Sequence, residues 1–246
     1  MNIKPWLLIL GANSDMAIAT ARVYAHKGYN LYLASRDTIG LELISDDITT
    51  RYQVEVVIFD FDAVDFDGHN AFYHSLIIKP QGVVLAFGVM HDQSESQSNF
   101  CFIKQMIDVN YCGAVSILEV IASDFERRGS GFIVGISSVA GDRGRMSNYL
   151  YGSTKAAFTT YLAGLRHRLI VSNVYVLTVK PGFVSTKMTE GLDLPKTLTA
   201  LPREVGESIY RGVINKKTTI YVKPVWSLIM LMVTHIPTFL FHKTKL

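Results

Sequence analysis

Cysteine is almost absent from this chain. The 246 residues contain two cysteines, Cys101 and Cys112, and both fall within one predicted helix. Eleven residues of helix span about 16 Å, whereas the Cα atoms of a disulfide lie within about 7 Å of each other. The two thiols therefore cannot pair with each other, and they do not make a metal-ligand set. We expect no disulfide and no metal site, and free thiols indicate a reducing compartment.

An excess of charge of one sign is also lacking. The chain has 24 Lys and Arg residues against 21 Asp and Glu residues, a net charge of +3, and no basic face stands out. Proteins that bind nucleic acid usually concentrate lysine and arginine on one face, so we expect no nucleic-acid partner. The sequence shows no repeat, low-complexity tract or linker, and 246 residues of which 49% are hydrophobic suit a single domain.

A secretory leader is not expected either. The N-terminal apolar run, Trp6 to Leu10, has five residues and leads into Gly11. The run is shorter than the apolar core of a signal peptide and has no small-residue cleavage site after it. We interpret it as a strand that is buried on both faces.

Short apolar runs and helical patterns alternate along the chain. The predicted strands cover residues 6–10, 30–35, 54–59, 82–86, 131–138, 174–179 and 219–222. The predicted helices cover about 18–25, 38–52, 66–78, 99–127, 151–171 and 204–214. The alternation is typical of a doubly wound parallel sheet with helices on both faces. We therefore predict an α/β fold, a single Rossmann-type sheet of about seven strands, over residues 1–223, followed by an apolar segment at 224–246.

Tyr151 and Lys155 open the predicted helix 151–171. Residues four apart lie on the same face of a helix, so we expect the ammonium group near the phenol. A free phenol has a pKa of about 10. A cation about 4 Å away, at an effective dielectric constant of 20, stabilises the phenolate by roughly 4 kcal/mol, or about three pKa units. The pair is therefore a candidate general acid and base, although a Tyr-x-x-x-Lys pattern also arises by chance.

The first predicted strand-to-helix turn, residues 11–17, is a candidate phosphate-binding loop. Its backbone amides and the following helix N-terminus can hold a pyrophosphate. A glycine-rich fingerprint has glycine where Asp15 and Ala17 stand, and this turn keeps only Gly11. We interpret Asp15 as the N-cap of the helix. The alternative is an ordinary turn with a capping aspartate.

The second predicted strand ends in Ser35 and Arg36. A cofactor with a free ribose 2′-hydroxyl usually meets an acidic residue there, whereas a 2′-phosphate is bound by arginine. We therefore expect NADP, with NAD as the alternative because Asp37 can neutralise Arg36. Asp60, at the end of the third strand, is either an acceptor for the adenine amino group or a turn residue.

Several short motifs stand at predicted strand ends and helix starts. They are Gly11-Ala12-Asn13-Ser14-Asp15-Met16-Ala17, Asp60, Ala86-Phe87-Gly88, Asn110, Ser137-Ser138, Tyr151-x-x-x-Lys155 and Pro181-Gly182-Phe183-Val184-Ser185-Thr186. Ser138 stands 13 residues before Tyr151. In order and spacing these motifs make the chain resemble the short-chain dehydrogenase/reductase family over about residues 7–222.

The resemblance implies roles for four residues. Tyr151 gives a proton to a carbonyl oxygen, or takes one from an alcohol, and Ser138 hydrogen-bonds that oxygen. Lys155 holds the nicotinamide ribose hydroxyls and lowers the tyrosine pKa. Asn110 holds a water that links Lys155 to solvent. Ser137 is the weaker catalytic candidate, because alternation along a strand points it to the other side.

The resemblance and the strand ends together predict the cofactor-binding residues. The segment 181–186 is expected to contact the carboxamide through the backbone of Val184 and the hydroxyl of Thr186. The predicted set is Gly11, Asn13, Ser14, Asp15, Met16, Ser35, Arg36, Asp60, Ala86, Gly88, Tyr151, Lys155, Pro181, Val184 and Thr186. One departure from the family is the turn Ala86-Phe87-Gly88, which replaces the usual Asn-Ala-Gly type.

Residues 224–242 contain no Asp, Glu, Lys or Arg and are mostly apolar. Lysines flank the segment, and they are Lys216, Lys217, Lys223, Lys243 and Lys245. We favour a segment that lies on a membrane surface, with the lysines toward anionic head groups. The alternatives are packing on a second subunit or over the substrate cleft, and a membrane span, which Pro237 would kink.

The function that follows is an NADP-dependent oxidoreductase that acts on a carbonyl or a secondary alcohol. The run 220–224 and the segment His91-Asp92-Gln93 make the chain similar, more loosely, to bacterial decaprenylphosphoryl 2-keto-pentose reductases. That likeness implies a lipid-linked keto sugar or another amphiphilic ketone, and a cytoplasmic enzyme at the inner face of the cytoplasmic membrane. A homodimer or homotetramer is the family's usual assembly. The alternatives are a non-catalytic dinucleotide-binding regulatory or scaffold protein, and an epimerase or dehydratase of nucleotide sugars.

Overall fold

Seven parallel strands form one sheet, in the order β3-β2-β1-β4-β5-β6-β7, in the computed structural model of the chain. The structure describes residues 4–191 and 193–244. The strands are β1 (Trp6–Leu10), β2 (Asn30–Ser35), β3 (Val56–Asp60), β4 (Gly82–Leu85), β5 (Gly131–Ile136), β6 (Val174–Pro181) and β7 (Thr219–Val222). β1 pairs with both β2 and β4, so the strand order reverses there and a ligand crevice opens at the carboxyl ends of the strands. The predicted fold class is confirmed.

Ten α-helices connect or follow the strands in the described part of the chain. They are α1 (Asp15–His26), α2 (Ile39–Tyr52), α3 (Gly68–Ser75), α4 (Gln93–Ser98), α5 (Phe100–Ile107), α6 (Ala114–Arg128), α7 (Tyr149–Leu169), α8 (Pro202–Ile214), α9 (Val225–His235) and α10 (Thr238–Phe241). A π-helical turn, Asp108–Gly113, separates α5 from α6, and short 3₁₀ turns cover Val139–Gly141, Ile170–Ser172 and Lys187–Thr189.

Two predicted helices differ from the structure. The helix predicted over 99–127 is interrupted by the π-helical turn, and α4 precedes it without having been predicted. The helix predicted over 66–78 ends at Ser75, because the ammonium of Lys79 binds three backbone carbonyls at its C-terminal end. That side chain satisfies acceptors that a longer helix would otherwise have used.

The core lies on both faces of the sheet, and β1 shows why. Leu8 and Leu10 pack into the cluster on one face, whereas Leu7 and Ile9 pack into the cluster on the other. All four side chains are fully buried, and each such burial stabilises the fold by about 1.5–3 kcal/mol. A continuous apolar run is therefore the pattern of a strand covered by helices on both sides.

The stretch Phe100–Arg128 is long and apolar enough to cross a membrane by length and composition alone. Its α6 part buries Ile117, Leu118, Ile121 and Phe125 completely in the core. That burial is typical of a core helix in a packed domain. α9 has 11 residues, or about 16 Å of helix, against about 30 Å of bilayer hydrocarbon, so α9 by itself is too short to cross a bilayer.

One face of α9 packs at the carboxyl ends of β5 and β6. Trp226, Met230 and Val233 are buried in a cluster with Val139, which directly follows Ser138. The other face is exposed, and its large apolar residues, with those of α10, are Val225, Leu228, Leu231, Met232, Phe239 and Leu240. Lys245 lies outside the described residues.

Candidate active site

A cleft of about 320 Å³ opens at the carboxyl ends of the central strands. It brings together most of the predicted site residues, namely Gly11, Asn13, Ser14, Asp15, Met16, Ser35, Arg36, Ala86, Gly88, Tyr151, Lys155 and Thr186. Four others, Asn110, Ser138, Pro181 and Val184, do not line it, and nor does Asp60. A wider groove of about 1030 Å³ between α1 and α8 contains neither Tyr151 nor Lys155.

The turn after β1 is shaped by Gly11. Its φ is +79°, and a Cβ there would lie 2.5 Å from the backbone nitrogen of Phe87, so only glycine is accommodated. The predicted cap is wrong: Ser14 is the N-cap of α1, and its hydroxyl accepts from the amide of Ala17 at 3.2 Å. Asp15 is instead the first helical residue, and its carboxylate accepts from the amide of Lys187 at 2.8 Å.

Asn13 joins the turn after β1 to the end of β2. Its amide donates to the hydroxyl of Ser35 at 3.2 Å and to the carbonyl oxygen of Asp37 at 2.7 Å. The Asp37 carboxylate accepts from the amide of Gly40 at 3.0 Å and forms no ion pair with Arg36 in the part of the chain that the structure describes. The exposed Arg36 guanidinium is therefore available to a phosphate at the end of β2.

The structure places Asp60 on the exposed side of β3, outside the cleft. Asp62, two residues later, lines the cleft together with Phe61 and Ala63. Asp62 is not among the predicted site residues, because the sequence pattern did not fix the residue at which β3 ends. The aspartates at positions 60, 62, 65 and 67 are the sequence feature that points to a turn here. Any of them could face the cleft, because the strand ends within this stretch.

Tyr151 stands near the start of α7. Burial raises the pKa of its phenol to about 12, and hydrogen bonding with Ser138 opposes this increase. The Ser138 hydroxyl is held in turn by the amide of Ala140, which donates to it at 3.1 Å. Tyr151 is therefore a protonated phenol at neutral pH.

Lys155 is buried on the same helix face. Its Nζ donates to the carbonyl oxygen of Ile136 at 3.2 Å and lies 5.7 Å from the centroid of the Tyr151 ring. Burial lowers the pKa of Lys155 to about 8. The prediction that Lys155 brings the Tyr151 pKa toward neutrality is wrong for this structure, because burial of the phenol raises that pKa and only the hydrogen bond with Ser138 opposes the increase.

Asn110 is buried in the π-helical turn. Its amide nitrogen donates to the carbonyl oxygen of Val89 at 2.9 Å and to the hydroxyl of Thr154 at 3.1 Å, and its oxygen accepts from the amide of Val89 at 2.7 Å. Both amide protons are thus used by the protein. The Asn110 side chain fastens the loop after β4 to α7.

Ser137 and Ser138 point in different directions, as predicted from strand alternation. The hydroxyl of Ser137 binds the carbonyl oxygen of Lys155 at 3.0 Å and the hydroxyl of Thr159 at 2.7 Å. It joins the end of β5 to α7, although Ser137 also lines the cleft.

The segment after β6 borders the cleft through Thr186 and Lys187. Val184 is buried and forms a parallel bridge with Ala200, and the amide of Thr186 donates to the hydroxyl of Thr189 at 3.1 Å. A Cβ on Gly182 would lie 2.0 Å from the Trp226 ring. The C-terminal helix is therefore fitted directly against this segment.

Comparison with known proteins gives consistent results. The model of the short chain dehydrogenase family matches residues 5–196. An uncharacterized oxidoreductase of Mycobacterium tuberculosis is 32% identical over 225 residues, which cover 90% of this chain and 89% of the relative.

Two solved structures have a similar fold. A short-chain dehydrogenase from Sphingobium yanoikuyae in complex with NADPH has a TM-score of 0.82 at 21% identity and covers 95% of this chain and 97% of its own. A bulky-bulky ketone specific alcohol dehydrogenase from Comamonas testosteroni has a TM-score of 0.81 at 21% identity, with 97% and 96% covered. At 21% identity, the similarity to these two structures shows that the fold is shared.

Proposed function

Because the chain belongs to the short-chain dehydrogenase family, we propose that it reduces a carbonyl group with NADPH, with Tyr151 as the proton donor. Membership confirms the resemblance seen in the sequence and makes the chain an NAD(P)-dependent oxidoreductase. The observation that carries the proposal is the meeting of Tyr151 and Lys155 with the Gly11 turn in one cleft. A non-catalytic scaffold is not favoured, since Ser138, Tyr151, Lys155 and Asn110 are all present.

The cleft residues fit a phosphorylated dinucleotide. The turn at Gly11 lets the backbone approach a pyrophosphate closely, and the N-terminus of α1 favours its negative charge. Arg36 supplies an exposed guanidinium at the end of β2 for a ribose 2′-phosphate, where Ser35 replaces the acidic residue that suits NAD. The NADPH bound by the Sphingobium yanoikuyae protein agrees with this preference.

The mechanism follows from the protonation states. A bound nicotinamide supplies the hydride to the carbonyl carbon. Ser138 hydrogen-bonds the carbonyl oxygen and orients it, and Tyr151 donates the phenol proton to that oxygen, which yields an alcohol and a phenolate. Because the phenol has a pKa of about 12, it carries its proton throughout the neutral range. Lys155, with a pKa of about 8, is mostly an ammonium ion there and stabilises the phenolate that forms.

An amphiphilic ketone, such as a lipid-linked keto sugar, is the substrate class that we propose. The support is the position of α9, whose buried face touches Val139 beside the catalytic serine while its other face is apolar and exposed. A panel of ketones that differ in apolar chain length, with lipid-linked and free keto sugars, tests this by NADPH oxidation. We expect kcat/KM to rise with the apolar chain. Equal values across the panel contradict the substrate class, and an enzyme that neither binds NADPH nor oxidises it contradicts the proposed function.

Peripheral membrane contact through 224–246 is part of the same proposal. Leu228 and Leu231 are each 58% exposed on the outer face of α9, and replacing both with glutamate places charge there while sparing the buried face. We expect the wild-type chain to float with vesicles that contain phosphatidylglycerol, and the double variant to remain in solution. Ile77→Glu, at a side chain that is 94% exposed far from α9, is the control and should float. A wild-type chain that stays in solution contradicts membrane contact.

A homodimer or homotetramer is the proposed assembly. α5 packs beside α7 and carries Phe100 and Ile107 exposed, which supports pairing through this side of the molecule. Light scattering after size-exclusion chromatography measures the mass directly. A particle with the mass of one 27.4 kDa chain at micromolar concentration contradicts the assembly.

A further inference from the structure

Buried polar atoms that lack a hydrogen-bond partner are concentrated at one place in the described residues. Three of the four such side-chain atoms belong to residues next to the start of α7: Gln93 Nε2, Arg145 Nε and Asn148 Oδ1. The fourth, the hydroxyl of Tyr24, lies in the core on the other side of the sheet. Native proteins leave few buried polar groups unpaired, and a local group of them indicates a missing partner.

The three residues surround the turn from which Tyr151 projects. Asn148 is the residue before α7, its amide donates to the carbonyl oxygen of Arg145 at 3.1 Å, and its own carbonyl oxygen accepts from the amide of Gly152 at 2.8 Å. Gln93, the first residue of α4, accepts from the amide of Leu150 through its side-chain oxygen at 3.2 Å. These bonds hold Gln93, Arg145 and Asn148 at the start of the helix that carries Tyr151.

The charge of Arg145 is not compensated by the protein. In the ranges 4–191 and 193–244 its guanidinium takes part in no hydrogen bond or ion pair. Asp142 is the acidic group that acts on it, and burial lowers the pKa of Arg145 despite that attraction. Both oxygens of Asp142 are already engaged, one by the ammonium of Lys180 and the other by the hydroxyl of Tyr221 at 2.8 Å. A partly buried guanidinium without a counter-ion is unfavourable unless an anion completes the site.

The remaining hydrogen-bonding capacity defines the chemistry of that anion. Arg145 offers a guanidinium N–H and Gln93 an amide N–H, both of which bind an oxyanion, and the N-terminus of α7 adds a favourable dipole. Asn148 offers an acceptor, which suits a hydroxyl group next to the oxyanion. Gln93 belongs to α4, whereas Arg145 and Asn148 stand in the stretch before α7, so the three groups lie outside the Gly11 turn and beside the helix that carries Tyr151.

We propose that Arg145, Gln93 and Asn148 form a specificity subsite that binds an oxyanion of the substrate, a carboxylate or a phosphate, close to the carbonyl that is reduced. The inference rests on the proposed function, because it assigns the second binding group of the same substrate. A charge-assisted hydrogen bond of this kind corresponds to a preference of roughly ten- to a hundredfold in kcat/KM for the anionic member of a matched pair.

Two matched pairs of substrates test the subsite. They are 4-oxopentanoate with its methyl ester, and a ketopentose 5-phosphate with the free ketopentose, each measured by NADPH oxidation. We expect the wild-type enzyme to prefer an anionic member at least tenfold, and the pair that shows the preference separates carboxylate from phosphate. Arg145→Gln should reduce that ratio to below threefold, mainly through KM. Equal kcat/KM within both pairs, or a preference that Arg145→Gln leaves intact, overturns the proposal.

The controls separate a lost subsite from a lost fold. Arg203→Gln removes an arginine whose side chain is 85% exposed on α8 and should keep the wild-type ratio. The dissociation constant for NADPH shows whether Arg145→Gln is folded, and Arg145→Lys decides by the same ratio if it is not. Calorimetric titration of the NADP-loaded enzyme with inorganic phosphate and with acetate gives a readout without turnover. If no ketone is reduced but Arg145→Gln abolishes this anion binding, the proposed function fails and the subsite stands; no anion binding to the wild type overturns the subsite.

Discussion

The side chain of Asn110 binds both backbone polar groups of Val89, accepting from its amide at 2.7 Å and donating to its carbonyl oxygen at 2.9 Å. A third bond joins Asn110 to Thr154, one residue before Lys155. A Cβ on Gly88 would lie 3.2 Å from the Asn110 side-chain oxygen and 3.3 Å from Lys155 Nζ, so the Asn110 side chain packs directly behind Gly88, which lines the cleft.

Asn110→Ala tests this role. The substitution leaves the partly buried amide and carbonyl of Val89 without their Asn110 partner, and we expect it to lower the free energy of unfolding by about 2–4 kcal/mol. Asn99→Ala, which removes the single N-cap bond of α5, should cost about 1 kcal/mol. Urea denaturation measures both. Equal losses in the two variants would contradict a larger contribution of the bonds between Asn110 and Val89 to the free energy of unfolding.

Gly11 and Gly28 allow the cost of backbone strain to be distinguished from the cost of a steric clash. Gly11 and Gly28 both have left-handed φ, +79° and +86°, but only at Gly11 would a Cβ meet other atoms, those of Phe87. Gly28→Ala should therefore cost about 1 kcal/mol of stability, and Gly11→Ala more than about 3 kcal/mol together with NADPH affinity. Thermal unfolding and fluorescence titration with NADPH measure the two effects. Similar behaviour of both variants contradicts a close approach of the backbone at Gly11.

The buried Lys155 predicts a stability that depends on pH. Its pKa is about 8 in the folded chain against an ordinary 10.5, so the unfolded chain binds more protons between these values and stability from this group rises with pH above 8. Tyrosines whose pKa is raised by burial, Tyr151 among them, oppose it only above about pH 10.

Lys155→Met removes that contribution. In the cofactor-free enzyme we expect the variant to be more stable than the wild type by about 1–3 kcal/mol at pH 7, with the difference shrinking toward pH 10. Activity should be lost at every pH. Denaturation at pH 7, 8.5 and 10 gives the differences, and a variant less stable than the wild type at pH 7 contradicts an unfavourable buried ammonium.

Arg36 predicts cofactor choice. Without its guanidinium the 2′-phosphate loses a charge-assisted partner, and Arg36→Ala should raise the dissociation constant for NADPH roughly ten- to a hundredfold while that for NADH changes less than about threefold. Arg211→Ala, at an exposed arginine on α8, is the control. If both cofactors weaken equally in Arg36→Ala, the residue does not read the 2′-phosphate.

The parts of the fold that were predictable are those recorded in local patterns. β1 and β2 were located to the residue because a buried parallel strand is a continuous apolar run between polar turns. The break between α5 and α6 could not be found in that way, since the π-helical turn depends on the bonds that Asn110 makes with Val89, 21 residues earlier in the chain.

The candidate site was predictable in identity and less so in electrostatics. Spacing brought Tyr151, Ser138 and Lys155 together, but their pKa values depend on how much water the surrounding loops and helices exclude, which no local pattern records. For the same reason Arg145 escaped notice: only the folded chain shows that its guanidinium is partly buried while Asp142 is engaged by Lys180.

The proposed mechanism depends on Tyr151 as the proton donor, and Tyr151→Phe tests that role most directly. Removing the hydroxyl leaves the ring to pack and the cofactor contacts in place, so NADPH affinity should change less than about threefold. With a ketone that the wild-type enzyme reduces, we predict that kcat falls by roughly 10²- to 10⁴-fold, the usual contribution of a general acid. Tyr149→Phe, two residues earlier on the same helix at an exposed tyrosine, should keep the wild-type rate. Full activity of Tyr151→Phe contradicts the mechanism.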